Sequence, residues 1–425
     1  MSSSSITEVR DSDERTPLLG SSSPEAPIVG SLNSVQEIVV LPAEATPTHS
    51  SNSKERLVSL DVFRGLTVAL MILVDDAGKA FPSINHSPWF GVTLADFVMP
   101  FFLFVVGVSV SLVFKKVPSK PAATKKVLLR MVKLFILGVI LQGGYFHGRG
   151  DLSYGVDIKK IRWMGVLQRI SIGYLFSSIL EIWLVNNISA DSAMKFVRRY
   201  WLQALVAVSL SVLYMGLLYG LYVPDWEFKV DTASNSSVVP SRNAVSIPLI
   251  MDSLMAAITC LVGLHYGHIL VQVKGHKQRI IFWSIFSFPL LIVGLVLVVV
   301  GIPLSKPLYT LSYMFTTAGA SAIAFTIIYY IVDVICLRKP MIIFQWMGMN
   351  ALIVYALAAC DIFPAALQGL YWRSTENNLV DGSERLLQGM LHSEKWGTLT
   401  FVLLEILFWG IVAGFLHMKK LYIKL

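Results

Sequence analysis

His86 is the side chain of this sequence best suited by type and setting to do chemistry. It stands in Asn85-His86-Ser-Pro-Trp89, after Asp75 and Asp76 and ten residues before Asp96. A neutral imidazole ordinarily titrates near pH 6.5, so small local shifts make it a usable base or nucleophile. A carboxylate beside it can fix its tautomer and stabilise the imidazolium, and Asp75, Asp76 and Asp96 are the carboxylates at hand. His86 lies at the entrance to an apolar run, with Trp89 at the interface. A lone loop histidine is otherwise unremarkable, and its acidic neighbourhood is what singles this one out.

Other polar residues sit inside apolar runs, where charges are rare and usually functional. Asp61 and Arg64 are spaced i, i+3, and read first as a structural ion pair. Arg64 and Asp75 would lie roughly 16 Å apart along one helix, so Arg64 and the Asp75–Asp76 pair belong to opposite membrane faces. Arg169 lies within a later run and needs an anionic partner, either a spanning Asp or a ligand phosphate or carboxylate. His265 and His268, also i, i+3, read as packing or interface residues, because no third metal ligand stands near them.

These groups must be positioned by membrane-spanning helices. Of 425 residues, 55% are hydrophobic and 15% charged, and the mean hydropathy is +0.64. Soluble domains carry about 25% charged residues, so a cytosolic enzyme, a disordered protein and a nucleic-acid module are excluded. The three cysteines, Cys260, Cys336 and Cys360, fall in or beside apolar runs and exclude a disulfide framework or a Cys-based zinc site. A span needs about 20 apolar residues. Ten candidates follow, near 57–78, 93–114, 127–146, 164–186, 200–222, 247–272, 280–301, 308–334, 341–362 and 398–418. The fold class is therefore all-α: a polytopic transmembrane bundle over 55–425, preceded by a disordered tail over 1–54.

The net charge of +8 is uneven: seven acids and three bases stand in residues 1–54, leaving the surplus of bases to the rest. Surplus Lys and Arg in an apolar chain mark cytoplasmic loops. Loops 115–126, 187–199, 273–279 and 335–340 and the C-terminus carry the denser bases and share a side with the N-terminus, so both termini are expected in the cytosol. Of the sequons at Asn85, Asn187 and Asn235, only Asn235 lies in a roomy lumenal loop, and it is the expected glycan site. The tail contains Glu14-Arg-Thr-Pro-Leu18-Leu19, which is similar to an acidic dileucine signal read by clathrin adaptors on the way to lysosomes or vacuoles.

Four blocks, in order, resemble one family. Leu60-Asp-Val-Phe-Arg-Gly65 opens it. Asn85-His86-Ser-Pro-Trp89 with Gly91, Thr93 and Asp96, then Pro100-Phe-Phe-Leu-Phe and Gly107, is its histidine motif. Arg162-Trp-Met-Gly-Val-Leu-Gln168-Arg169-Ile170 and Met347-Gly-Met-Asn350-Ala-Leu-Ile-Val-Tyr355 complete the set. They are similar to the heparan-α-glucosaminide N-acetyltransferases, multispan transmembrane acyltransferases, and in detail to plant members, over residues 56–425.

The resemblance implies transfer of acetyl from cytosolic acetyl-CoA to an amino, or hydroxyl, group of a lumenal glycan or amino sugar. No metal is involved. His86 falls on the family's catalytic histidine, and Asp75 on a second active-site position that is usually Asn. Arg64, Gln168, Arg169 and Asn350 are then expected to hold CoA, while Asp76, Trp89 and Asp96 face the acceptor. The location implied is the lysosomal or vacuolar membrane, among lipids, with a homodimer as one form. The loop at 223–247 is short and lacks the family's Asp-Pro-Glu-Gly block, which alters the acceptor surface. Two readings compete with this one: a proton-coupled transporter built on the buried acids and histidine, and a family member that has lost activity.

Overall fold

The structure, a computed structural model, describes residues 57–78, 80–87, 90–115, 119–141, 145–146, 155–156, 163, 165–185, 193–220, 246–358, 367–374 and 377–422. The chain divides into two units, Met1–Glu55 and Arg56–Leu425, and the described residues lie in the second. The tail with Leu18 and Leu19, and also Trp89, Arg162, Asn187 and Asn235, fall outside them.

The described residues are almost all helical. In order they form α1 (Val58–Ala77), α2 (Leu94–Val113), α3 (Lys120–Leu141), a two-residue antiparallel ribbon pairing Tyr145–Phe146 with Gly155–Val156, and α4 (Val166–Leu184). Then come α5 (Ala193–Gly220), α6 (Ser246–Gln272), α7 (His276–Val299) and α8 (Leu311–Tyr329), which runs on as a π-helical turn to Val334. The chain ends with α9 (Ile342–Met349), α10 (Ala351–Ala358), α11 (Leu379–Leu391) and α12 (Glu394–Met418).

A helix lies in each of the ten expected windows; among the described residues, six are long and apolar enough to cross a membrane, or seven if α9 and α10 count as one. The expected ten spans are reduced because α1 carries Asp61, Arg64, Asp75 and Asp76, and α3 carries Lys125, Lys126, Arg130 and Lys133. In α4, Gln168, Arg169 and Glu181 thin the apolar run in the same way. The ninth expected span, 341–362, is not one rod: its two helical pieces meet at Asn350 with a bend of 75°.

Side-chain distribution fits a lipid-facing bundle. Ile281, Ile285, Phe288, Ile292, Leu295 and Val299 on α7 all face outward, as residues in contact with hydrocarbon do. The core holds aromatic rings instead. Phe63, Phe104, Tyr266, Trp283, Phe325 and Tyr329, from five helices, form one buried cluster.

Several helix pairs approach through glycine, and two of them bear on the site. At Gly65 and Gly348 any β-carbon would strike the facing backbone, Phe344 on α9 and Asp61 on α1 respectively. Gly107 and Gly263 do the same between α2 and α6. Small residues let backbones close up in this way where lipid supplies no hydrophobic drive. The first pair fixes α9, and hence the bend at Asn350, against α1. The second fixes α2, whose N-terminus carries the site.

Candidate active site

The site is built at the end of the bundle where α1 finishes and α2 begins. Gly78-Lys-Ala-Phe-Pro82 stops α1, as glycine followed by proline does. The chain then turns through Ile84 and Asn85 and re-enters at Thr93, the N-cap of α2, with Asp96 at the third helical position completing a capping box. The helix continues through Pro100 to Val113.

Asp96 does more than cap. Its side chain is fully buried, and Oδ2 accepts from the Thr93 amide at 3.0 Å, the Thr93 hydroxyl at 3.0 Å and the Ser87 amide at 3.3 Å. Its Oδ1 lies 3.3 Å from Nδ1 of His86 and 3.0 Å from Nζ of Lys306. The Asp96 carboxylate is thus enclosed by protein donors. The capping geometry turns it inward, toward His86 and Lys306.

His86 has half of its side chain exposed, at 50%, with Nδ1 engaged. Nδ1 faces Asp96 and also lies 2.7 Å from Nζ of Lys306. An imidazole engaged at Nδ1 by a buried carboxylate and its lysine partner, with Nε2 meeting no partner among the described residues, is an arrangement that general acid–base or acyl-transfer chemistry can use.

Lys306 is the residue that sequence reasoning missed. It sits in the α7–α8 connection, Pro303-Leu-Ser-Lys306-Pro307, which Thr310 and Ser312 hold by hydroxyl bonds to the Pro303 carbonyl at 2.9 and 3.0 Å. The Gly91 amide donates to the Leu304 carbonyl at 2.9 Å, joining this loop to the His86 loop. Tyr313 donates to the Asp96 carbonyl at 2.5 Å. Burial pulls the Lys306 ammonium below its ordinary 10.5, opposed by Asp96 and then by Asp75, while Arg169 adds to the lowering. A base between two prolines in an otherwise apolar connection was the available signal.

The remaining expected residues disperse. Asp75 and Asp76 are exposed at the end of α1. Asp75 is within electrostatic reach of Lys306, and Asp76 hydrogen-bonds Glu405 of α12. Arg64 pairs with Asp61 at 3.0 Å and donates to Ser109 at 2.5 Å, more than three helical turns from the site. Arg169 pairs with Asp252 of α6 at 3.3 Å, so its anion is a spanning Asp. Gln168 is buried against Gly138 of α3.

Asn350, at the bend between α9 and α10, is 3% exposed, and neither its Oδ1 nor its Nδ2 meets a partner among the described residues. His268 packs on Tyr200, ring centroids 4.2 Å apart, and lies 3.0 Å from Glu181. No three His, Cys, Asp or Glu residues among those described stand close enough to hold a metal.

The comparisons with known proteins agree on one family. The family model described as "Heparan-alpha-glucosaminide N-acetyltransferase, catalytic" matches residues 56–219. The chain is 24% identical to the mouse heparan-alpha-glucosaminide N-acetyltransferase over 429 positions, covering 87% of this chain and 63% of the relative. Against the human protein of the same name it is 24% identical, covering 84% of this chain and 60% of the relative. The chain therefore spans less than two-thirds of the length of these relatives.

Proposed function

We propose that this chain, which is similar to the heparan-α-glucosaminide N-acetyltransferases over most of its length and matches their catalytic family model over residues 56–219, is a transmembrane acetyltransferase of that family. It would move acetyl from cytosolic acetyl-CoA to an amino, or hydroxyl, group of a lumenal sugar. The observation that carries this reading is the half-exposed His86 held at Nδ1 by the buried Asp96 carboxylate. An amine acceptor must lose a proton to attack a thioester carbonyl, and a positioned imidazole can take it once its exposed nitrogen is unprotonated. Asp75, at the same end of the bundle, is the second residue assigned to the reaction, with Asp76 and Trp89 toward the acceptor.

The donor side is less evenly supported. Arg64 and Arg169 already have internal carboxylate partners, and Gln168 is buried, so these three fit a phosphate site poorly. Asn350 fits better. A buried amide lacking a protein partner costs about 1–3 kcal/mol, and the amides of the pantetheine arm could supply one. The broken α9–α10 span would then bring that arm into the bundle, keeping the nucleotide on the cytosolic side. On this reading the basic loops and both termini lie on that side, in a lysosomal or vacuolar membrane.

The same break supports a second reading, a proton-coupled transporter, since discontinuous helices form midplane sites in such proteins. Transporter repeats carry such breaks in pairs, and one bent pair occurs among the described residues. The deciding experiment uses the purified full chain in detergent with labelled acetyl-CoA and a panel of amino sugars, read by mass spectrometry. Acetylated sugar from the wild type, and none from His86→Ala that still binds CoA, is the expected result. No transfer to any acceptor and no hydrolysis of acetyl-CoA would remove the enzymatic reading.

A further inference from the structure

We propose that Lys306 is a positioning residue that sets the tautomer of His86, and through it decides whether the exposed ring nitrogen can act as a base. The inference deepens the acetyl-transfer reading and rests on it for its catalytic consequence, while its geometry stands alone.

Three distances define the cluster. Nζ of Lys306 is 2.7 Å from Nδ1 of His86 and 3.0 Å from Oδ1 of Asp96, whereas Nδ1 and Oδ1 are 3.3 Å apart. An ammonium has three donors and no acceptor, so it can only donate to both. Its contact with Nδ1 is the shortest of the three. Nδ1 must then be an acceptor, and the hydrogen of the neutral imidazole lies on Nε2. In this state the exposed nitrogen is a donor, with no lone pair to take a proton or an acyl group.

The lock opens by loss of one proton from the cluster. A Lys306 proton passes to Nδ1, the neutral amine accepts back from Nδ1–H, and the proton on Nε2 leaves to solvent. The exposed nitrogen then carries its lone pair, with Asp96 and the amine both behind Nδ1–H. Without Lys306, Asp96 alone would hold Nδ1–H, and Nε2 would be basic whenever the ring is neutral.

The charged and titratable groups around Lys306 come from every element at that end. Among the described residues they are Asp75 of α1, His86, Asp96 of α2 and Arg169 of α4, with the buried Tyr309 and Tyr313 next to Asp96 and Arg169, and Asp252 of α6 behind Arg169. Burial of the amine, with Arg169 on the same side of the balance, eases the loss of its proton, while Asp96 and Asp75 resist it.

The test reads His86 directly, without requiring turnover. The intact protein in detergent is treated with diethylpyrocarbonate, which modifies unprotonated imidazole, across pH 6 to 10, and each histidine is quantified by peptide mass spectrometry. Exposed His392 serves as the internal standard, and buried His268, 4% exposed, reports unfolding. In the wild type, His86 should react slowly at pH 7 and accelerate only at alkaline pH.

Lys306→Met should make His86 react at pH 7 clearly faster than the wild type, because Asp96 alone would then hold Nδ1–H and leave the lone pair on the exposed Nε2. Lys306→Arg, which keeps the charge and cannot release it, should remain slow to pH 10. Superimposable wild-type and Lys306→Met curves would overturn the inference, as would a Lys306→Arg curve that rises with the wild type. If Lys306→Met exposes His268, the Arg variant decides alone. The labelling pattern without any acetyl transfer would sink the enzymatic reading and leave the lock standing. Transfer with flat labelling would do the reverse.

Discussion

At the residue scale, the chemistry turns on which carboxylate faces His86. Asp75, proposed as the second active-site residue, and Asp96 are both within a short reach of it in sequence, and only the fold separates their settings. Asp96 is enclosed and meets the ring; Asp75 is exposed at the end of α1. Asp96→Asn removes the charge that stabilises an imidazolium. It also places an amide where Lys306 expects a carboxylate. Acetyl transfer should fall by about 10²–10⁴, with CoA binding retained, as measured by turnover and by isothermal titration on the same preparation. Asp75→Asn should keep much of the activity if Asp75 only positions the acceptor. A large loss with a shifted pH profile would instead give Asp75 a share in proton transfer.

At the element scale, the packing of helices decides where polar groups end up. Arg169 and Asp252 lie 83 positions apart in sequence and pair between α4 and α6. Breaking a buried pair leaves a charge stranded, at a cost of about 3–5 kcal/mol, whereas replacing both partners is often neutral. Arg169→Met should therefore lower the melting temperature in detergent, and adding Asp252→Leu should restore most of it. The bend at Asn350 makes the opposite prediction. Its amide has no partner among the described residues, so Asn350→Leu should leave thermal stability unchanged or raised. If the amide meets the donor's pantetheine arm, the same variant should weaken acetyl-CoA binding. Unchanged binding would remove Asn350 from the donor site.

At the scale of the whole molecule, the expected orientation rests on charge, and the expected trafficking on the tail. Epitopes at both termini should be reached from the cytosol in selectively permeabilised cells. Asn235 should be the one sequon to carry a glycan, and a glycan on Asn187 would reverse the orientation. Changing Leu18 and Leu19 to Ala should shift the protein toward the cell surface without altering its melting temperature. An unchanged location would sink the sorting reading and leave the enzymatic one intact.

The sequence by itself determined that this is an apolar helical bundle, and it marked His86 and its acidic surroundings. Span-length apolar runs and the cost of charge in hydrocarbon are written in composition, so they need no knowledge of contacts. The start of α3 at Lys120 was hidden because its first turns are basic and read as a loop. The single rod expected over 341–362 was likewise apolar throughout, with nothing in its composition to mark the 75° bend at Asn350. Only the tertiary structure decided that Arg169 answers Asp252, that Asp96 rather than Asp75 holds the imidazole, and that Lys306 completes the cluster. Lys306 lies 220 positions from His86. A contact of that separation is made by how α2, α7 and α8 pack, and no local period or motif in the chain encodes it.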